Sequence, residues 1–280
     1  MDQVNIQALK GQSEMTTGMM SALDVSRMHA AIGDGSQPAP AAGALLPPLW
    51  HWAAFPPLTP TDHLGEDGHP PTGGLLPPMA QKRRMWAGGS LRFHAPLLVG
   101  EKLKRKSTVL DIKIKETGAG DMVLVTVEHR ICGQAGLAIE ERQDIVYLNM
   151  PTSFVPPKKR AMPDSPAFQA SHATPATLLF RYSAVTYNAH RIHYDLPYAQ
   201  EVEHYPALVV HGPLQATLLM QAATAHKDAV PSDFHYRGVH PMFGGTDLDI
   251  VAVEEDGALN LFTGQDGHQG MQATAMWEAA

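Results

Sequence analysis

The sequence predicts an α+β protein built from two copies of one unit, each an antiparallel sheet wrapped around a central helix. Three observations point there. From Ser90 onward the pattern changes to period two and reads as four consecutive strands. Four further short strands follow His226 and finish the chain. Each set comes after a glycine that opens a proline-bearing apolar stretch of helical character, GGLLPPMAQ at 73–81 and HGPLQATLL at 211–219. A helix followed by a strand meander, twice over, is the layout of a double hotdog. The expected boundaries are 1–150 for the first repeat, 151–176 for a linker and 177–280 for the second repeat. The linker assignment rests on PTSFVPPKKRAMPDSPAFQASHATPA, which has no periodicity and is rich in Pro, Ser and Ala.

Composition removes several classes of function. A chain of 280 residues with 44% hydrophobic content has enough apolar material for a sizeable core. A net charge of −7 with 18% charged residues does not suit a general nucleic-acid binder. One cysteine, Cys132, staples nothing, which favours a reducing compartment. No run of eighteen apolar residues exists, and MDQVNIQALKGQSE has no basic-then-apolar leader pattern. The expectation is a cytoplasmic protein with neither membrane nor nucleic acid as partner.

In chain order, residues 14–31 carry apolar groups at helical spacing and predict a helix ending at Gly33-Asp34-Gly35. LWHWAAF reads as a strand entering the core. Leu75–Trp86 reads as a second helix with prolines in its first turn, closed by Arg83 and Arg84. The strands SLRFHAP, EKLKRKSTVLDIKIKE, DMVLVTVEHRI and GLAIEERQDIVYLNM follow, with hairpins at Gly118–Gly120 and Gly133–Gly136. In KLKRKSTVLDIKIK the alternation puts the Lys and Arg residues on a solvated face. Thr177–Thr186 reads as a strand, and Gly212–His226 as a helix. FHYRGVHPMF, TDLDIVAVEED, ALNLFTG and GMQATAMWEA complete the second sheet.

Chemistry concentrates in Phe180–Met220, which holds His190, His193, His204 and His211. Within it, YNAHRIHYD followed by VVHGP resembles the motif of the MaoC-like hotdog enzymes, the (R)-specific enoyl-CoA hydratases and dehydratases. That motif runs Asp-x-Asn-Pro-Ile-His, then a glycine opening the central helix. Its histidine falls on His193, its asparagine on His190, its proline on Arg191 and its aspartate on Asn188. LPPLWHWAAF, LGEDGHPPTGG and RRMWAGG are similar to stretches of the two-repeat hydratases of this family that act on dicarboxylyl-CoA esters such as mesaconyl-C4-CoA and itaconyl-CoA. Those relatives also carry Asn at the position of Asn188. The resemblance covers nearly all of the chain beyond about residue 14 and implies a CoA-thioester substrate, no cofactor, and a fold in which two such chains commonly pair as a homodimer.

The residues support that implication on their own terms. Hydrating an α,β-unsaturated thioester needs a held water, a base and a donor for the enolate-like oxygen. His193 is the candidate base, because imidazole titrates near working pH. Asn188 is placed either to hold the same water or to cap its own loop. The N–H of Gly212, at a helix start, is the candidate oxyanion donor. Arg181 and Arg191 are candidates for the free carboxylate of a dicarboxylyl group, as are, through the resemblance, Arg83 and Arg84 for substrate or CoA; each has an equally ordinary reading as a framework cation. His211 is a weaker substrate-binding candidate. The chemical rival is a zinc site from His190, His193 and Asp195, completed by His204 or His211. Arg191 repels a cation there, so no metal is expected. The first repeat has no counterpart of Asn188–His193, so one active site per chain is expected. The other functions to separate are a 3-hydroxyacyl-thioester dehydratase, a thioesterase, and a non-catalytic acyl-CoA-binding module.

Overall fold

Among the described residues of the computed structural model (6–33, 35–72, 74–76, 79–117 and 120–278), ten strands form one continuous antiparallel sheet. They are β1 (Ser13–Gly18), β2 (Arg83–Phe93), β3 (Leu103–Thr117), β4 (Gly120–Gly133), β5 (Gly136–Leu148), β6 (Phe168–His172), β7 (Asp233–Gly238), β8 (Leu248–Glu255), β9 (Ala258–Gln265) and β10 (His268–Met276). Their order is β1-β3-β4-β5-β2-β7-β10-β9-β8-β6. Each half therefore repeats one arrangement, in which the second strand closes the meander formed by the third, fourth and fifth. The halves join where Gly88–Arg92 of β2 pairs with Asp233–Arg237 of β7. This duplication is the double hotdog read from the sequence.

The second half keeps its central helix. Helices α1 (Ala22–Ile32), α2 (Ala176–Thr186), α3 (Leu196–Glu201) and α4 (Gly212–Lys227) follow in chain order. In α4, Leu214, Gln215, Ala216, Thr217, Leu218, Leu219 and Met220 are consecutive buried residues. A helix apolar on all sides belongs inside a core, and α4 packs against β7 through β10. Its polar members are satisfied internally: Thr263 Oγ1 donates to Gln215 Oε1 at 2.6 Å, and Thr217 Oγ1 donates to the Pro213 carbonyl.

Several expectations change at this level. Residues 14–31 are not one helix: β1 occupies Ser13–Gly18, and α1 starts after Ser21, whose side chain forms a capping box with Asp24. LWHWAAF is a 3₁₀ turn over Trp50–Ala54, not a strand. Thr177–Thr186 is helical; Leu178, Leu179, Tyr182 and Ser183 face inward at helical spacing, so packing overrides the β-prone composition. β6 lies inside the expected linker. The hairpin after Thr117 has its turn partly outside the described residues, at 118–119.

The largest change is in the first half. No helix forms over the described part of 75–86; Arg83 and Arg84 begin β2 instead, opposite Leu148 and Tyr147. Pairing of Arg83–Trp86 with Ile145–Leu148 of β5 takes the end of that stretch into the sheet, which leaves too few residues for a central helix. Leu75, Leu76 and Met79 still cover the inner face of the first sheet, at Val109, Ile112, Val125, Ile145 and Tyr147. They do so without a helix, and a cavity of about 1370 Å³ opens beside them, walled by both halves.

Candidate active site

The site is assembled at the C-terminal end of α2. That helix stops at Tyr187, in left-handed conformation with φ 54°. Asn188 follows, and its Oδ1 accepts the N–H of His190 at 3.0 Å. The side chain thus caps its own loop, and the backbone turns through a 3₁₀ segment, Arg191–His193. Asp195 then caps α3 by accepting the N–H of Tyr198.

His193 lies at the cavity wall and is only 7% exposed. Its Nδ1 is 2.8 Å from the Val209 carbonyl oxygen. A carbonyl only accepts, so Nδ1 carries the hydrogen and Nε2 keeps its lone pair. Burial pushes the pKa well below the usual imidazole value, and the nearby rings of His211 and His190 add to this. His193 is therefore a neutral imidazole with a free basic nitrogen. His211 stacks on it at 3.6 Å between centroids, and its Nε2 is 2.8 Å from Ser183 Oγ. Burial, with His190 beside it, pushes His211 down to about 3. His211 backs the His193 ring and does not itself line the cavity.

Gly212 begins α4 at the cavity wall. As a first-turn residue its N–H has no acceptor inside the helix, and the helix dipole points its positive end there. A β-carbon at this position would lie 2.8 Å from Trp86 Cε3. Trp86 is itself fixed by stacking on Tyr236 at 4.5 Å and by the edge of Trp52 at 5.4 Å. Glycine is what lets this aromatic wall approach the helix start.

The arginines separate into two groups. Arg83 and Arg84 line the cavity, whereas Arg181 and Arg191 do not. The Arg181 guanidinium is exposed and donates to the Ala30 carbonyl. Arg191 is bound to Asp195 at 2.7 Å, donates to the Glu66 carbonyl and lies over the Tyr198 ring. Arg83 pairs with Glu203, Nε to Oε2 at 3.1 Å, and donates to the Tyr205 hydroxyl. Glu203 also meets His190 Nε2 through its other oxygen at 3.2 Å. Arg84 makes no ion pair among the described residues, and its charge helps to lower the His69 pKa. Asp195 is engaged with Arg191 and Tyr198, so the His190–His193–Asp195 zinc set does not form.

Three residues of the site were not singled out from sequence. Glu203, 2% exposed, anchors Arg83 and His190. His69, from the first half, packs its ring 4.2 Å from that of His190; the Asp-Gly-His turn was the available signal. Arg105 departs from the solvated face expected for KLKRKSTVLDIKIK: it is half-buried, lines the cavity and sits 4.5 Å over the Phe55 ring, with Nε buried and unpartnered among the described residues. Its neighbours Lys104 and Lys106 do point outward, as alternation requires.

Comparison with known proteins agrees with this geometry. The family model for hydroxyacyl-thioester dehydratase type 2 matches residues 49–244. The chain is 42% identical over 238 residues to mesaconyl-C(4)-CoA hydratase of Chloroflexus aurantiacus, covering 84% of this chain and 85% of that protein. It is 29% identical over 235 residues to the mitochondrial hydroxyacyl-thioester dehydratase type 2 of Schizosaccharomyces pombe, covering 75% and 78%. Among solved structures, a MaoC-like dehydratase from Phytophthora capsici superposes with a TM-score of 0.70 at 14% identity, over 98% of this chain and 99% of that one. With its duplicated sheet, its central helix α4 and the Asn188–His193 loop near that helix's start, the chain is an enzyme of the hydratase and dehydratase type and belongs to the hydroxyacyl-thioester dehydratase type 2 family, within the MaoC-like double-hotdog proteins.

Proposed function

We infer that the protein adds water across the double bond of an enoyl-CoA thioester carrying a second carboxylate, of the mesaconyl-C4-CoA or itaconyl-CoA kind, giving a citramalyl-type hydroxyacyl-CoA. The observation that carries this reading is the neutral, cavity-facing His193 beside the N-terminus of α4. The thioester oxygen is received by the N–H of Gly212, where charge develops as water attacks the β-carbon. His193 Nε2 accepts a hydrogen bond from that water and orients it for attack as it is deprotonated. Asn188 positions His193 through the loop it caps, and His211 holds the ring from behind. Arg84 and Arg83 are the cations available to the CoA phosphates or the acyl carboxylate. The similarity to the Chloroflexus enzyme supports the dicarboxylyl substrate. The similarity to the yeast enzyme supports the same chemistry run as dehydration of a 3-hydroxyacyl thioester.

Purified protein mixed with mesaconyl-C4-CoA, itaconyl-CoA and crotonyl-CoA tests the reading. The expected result is loss of enoyl-thioester absorbance without release of free thiol, fastest on a dicarboxylyl ester. Thiol release would mean a thioesterase, and binding without turnover would mean an acyl-CoA-binding module; either outcome defeats the proposal.

The site also depends on contact between the halves. Gly68 has φ +87°, and a β-carbon there would lie 1.9 Å from the Ala189 carbonyl oxygen. Gly68→Ala is expected to push the Asn188–His193 loop aside and lower kcat/KM by roughly 10- to 100-fold, since an ångström of displacement costs that much. Steady-state kinetics beside a thermal melt of the variant checks this.

A further inference from the structure

The family motif has a carboxylate that this chain lacks, and Asn188 cannot replace it: an amide does not take a proton, and its oxygen is already committed to the His190 N–H. The first half brings a carboxylate, Asp67, beside the same loop. Residues Gly65–His69 close into a tight turn, with the Gly65 N–H on the His69 carbonyl and the Gly68 N–H on the Gly65 carbonyl. The turn is fastened to the motif loop, where the Arg191 N–H donates to the Asp67 carbonyl at 2.9 Å. Within it, Asp67 Oδ1 accepts the His69 N–H and Oδ2 lies 2.8 Å from His69 Nδ1. The carboxylate fixes the tautomer, with hydrogen on Nδ1 and the lone pair on Nε2. His69 and His193 line the same cavity, and each packs against His190, at ring separations of 4.2 and 5.4 Å.

We propose that Asp67 and His69 are a second acid–base pair of this active site: the reacting water is held between His193 Nε2 and His69 Nε2, and the proton it loses settles on His69. The proposal rests on the hydratase reading and deepens it. In hydration the water oxygen bonds to the β-carbon while one O–H bond breaks toward His69 Nε2. The C=C electron pair moves into the thioester oxygen. It returns as the imidazolium proton is delivered to the α-carbon, leaving both imidazoles neutral. Asp67 decides which ring carries the charge. His193 is backed by a carbonyl and stacked on another imidazole, so a proton there meets no counter-charge. His190 has Glu203, but Arg83 already neutralises that carboxylate. The charged and titratable groups close enough to act on His69 are Asp67, His190, Arg84 and His193. Burial draws the His69 pKa down to about 4 against the pull of Asp67, so the resting ring is neutral and able to accept.

The test uses the full chain with mesaconyl-C4-CoA and crotonyl-CoA. Wild-type turnover comes first: no hydration of either ester would sink the underlying hydratase reading, independently of this pair. With wild type active, His69→Gln is expected to lower kcat by about 100-fold or more with little change in KM. Asp67→Asn removes the charge that favours the imidazolium. It is expected to lower kcat/KM by about 10-fold and to move the acidic limb of its pH profile to lower pH. Because that limb reports the base itself, a purely structural role for Asp67 would leave it in place. Either His69→Gln within about threefold of wild type, or an unmoved acidic limb in Asp67→Asn, overturns the proposal. One ligand atom from each of Asp67, His69 and His190 lies within 4.8 Å of the others, a spacing a metal also accepts. Activity lost to a chelator and restored by zinc would make the pair metal ligands and equally overturn it.

Discussion

Replacing His193 by alanine is expected to lower kcat for hydration by about 1000-fold, within the 10²–10⁴ range for loss of a positioned proton-transfer group. The argument is geometric before it is electrostatic. His193 is held at the cavity wall by the Nδ1 hydrogen bond to Val209 and by stacking on His211, and neither contact engages its Nε2 lone pair. KM should change little, because Arg83 and Arg84, the cations proposed for CoA, are untouched. Removing the ring also leaves the Val209 carbonyl without its donor, at a cost of about 1–3 kcal/mol. The variant is therefore to be checked by thermal melt and by retained binding of the hydroxyacyl-CoA product. A folded, product-binding His193→Ala enzyme that still turns over within about 10-fold of wild type would remove His193 from the reaction.

Glu203→Ala is expected to be the most damaging change to stability around the site, by about 3–5 kcal/mol. Glu203 is 2% exposed, and its two oxygens serve different partners, Arg83 and His190. Truncating it strands a largely buried guanidinium and frees the His190 ring against which His69 packs. For a chain of this size the melting temperature should fall on the order of 10 °C. The double variant Glu203→Ala with Arg83→Met should recover part of the loss, because removing both charges leaves no unpaired ion. A single variant whose melting temperature falls less than about 2 °C would show that the pair contributes little to stability. Activity should fall in both variants, since Arg83 and His190 are cavity residues.

How much of this was legible in the chain depends on the kind of signal. The strands of both meanders were readable because alternation in segments such as DMVLVTVEHRI follows directly from the two-residue period of a strand. The buried helix after Gly212 was readable from its long apolar run behind a glycine and a proline. Thr177–Thr186 was not: its β-branched and aromatic residues favour a strand in isolation, and only contact with α1 and the core selects the helix. Arg105 was misassigned for the opposite reason. Its charge argued for solvent, while its register beside Lys104 and Lys106 turned it inward.

The sequence by itself determined the duplicated architecture, the Asn188–His193 loop and the glycine that opens α4, because each is a local pattern with a local physical cause. It did not determine that the first half forms no central helix among its described residues, that Arg181 and Arg191 turn away from the cavity while Arg84 and Arg105 line it, or that Asp67 and His69 arrive beside His190. Those depend on contacts that close only in the folded chain, and the last of them joins residues more than a hundred positions apart, the Arg191 N–H on the Asp67 carbonyl. No local preference encodes such a contact; it forms when the two sheets join along β2 and β7 and carry their loops together.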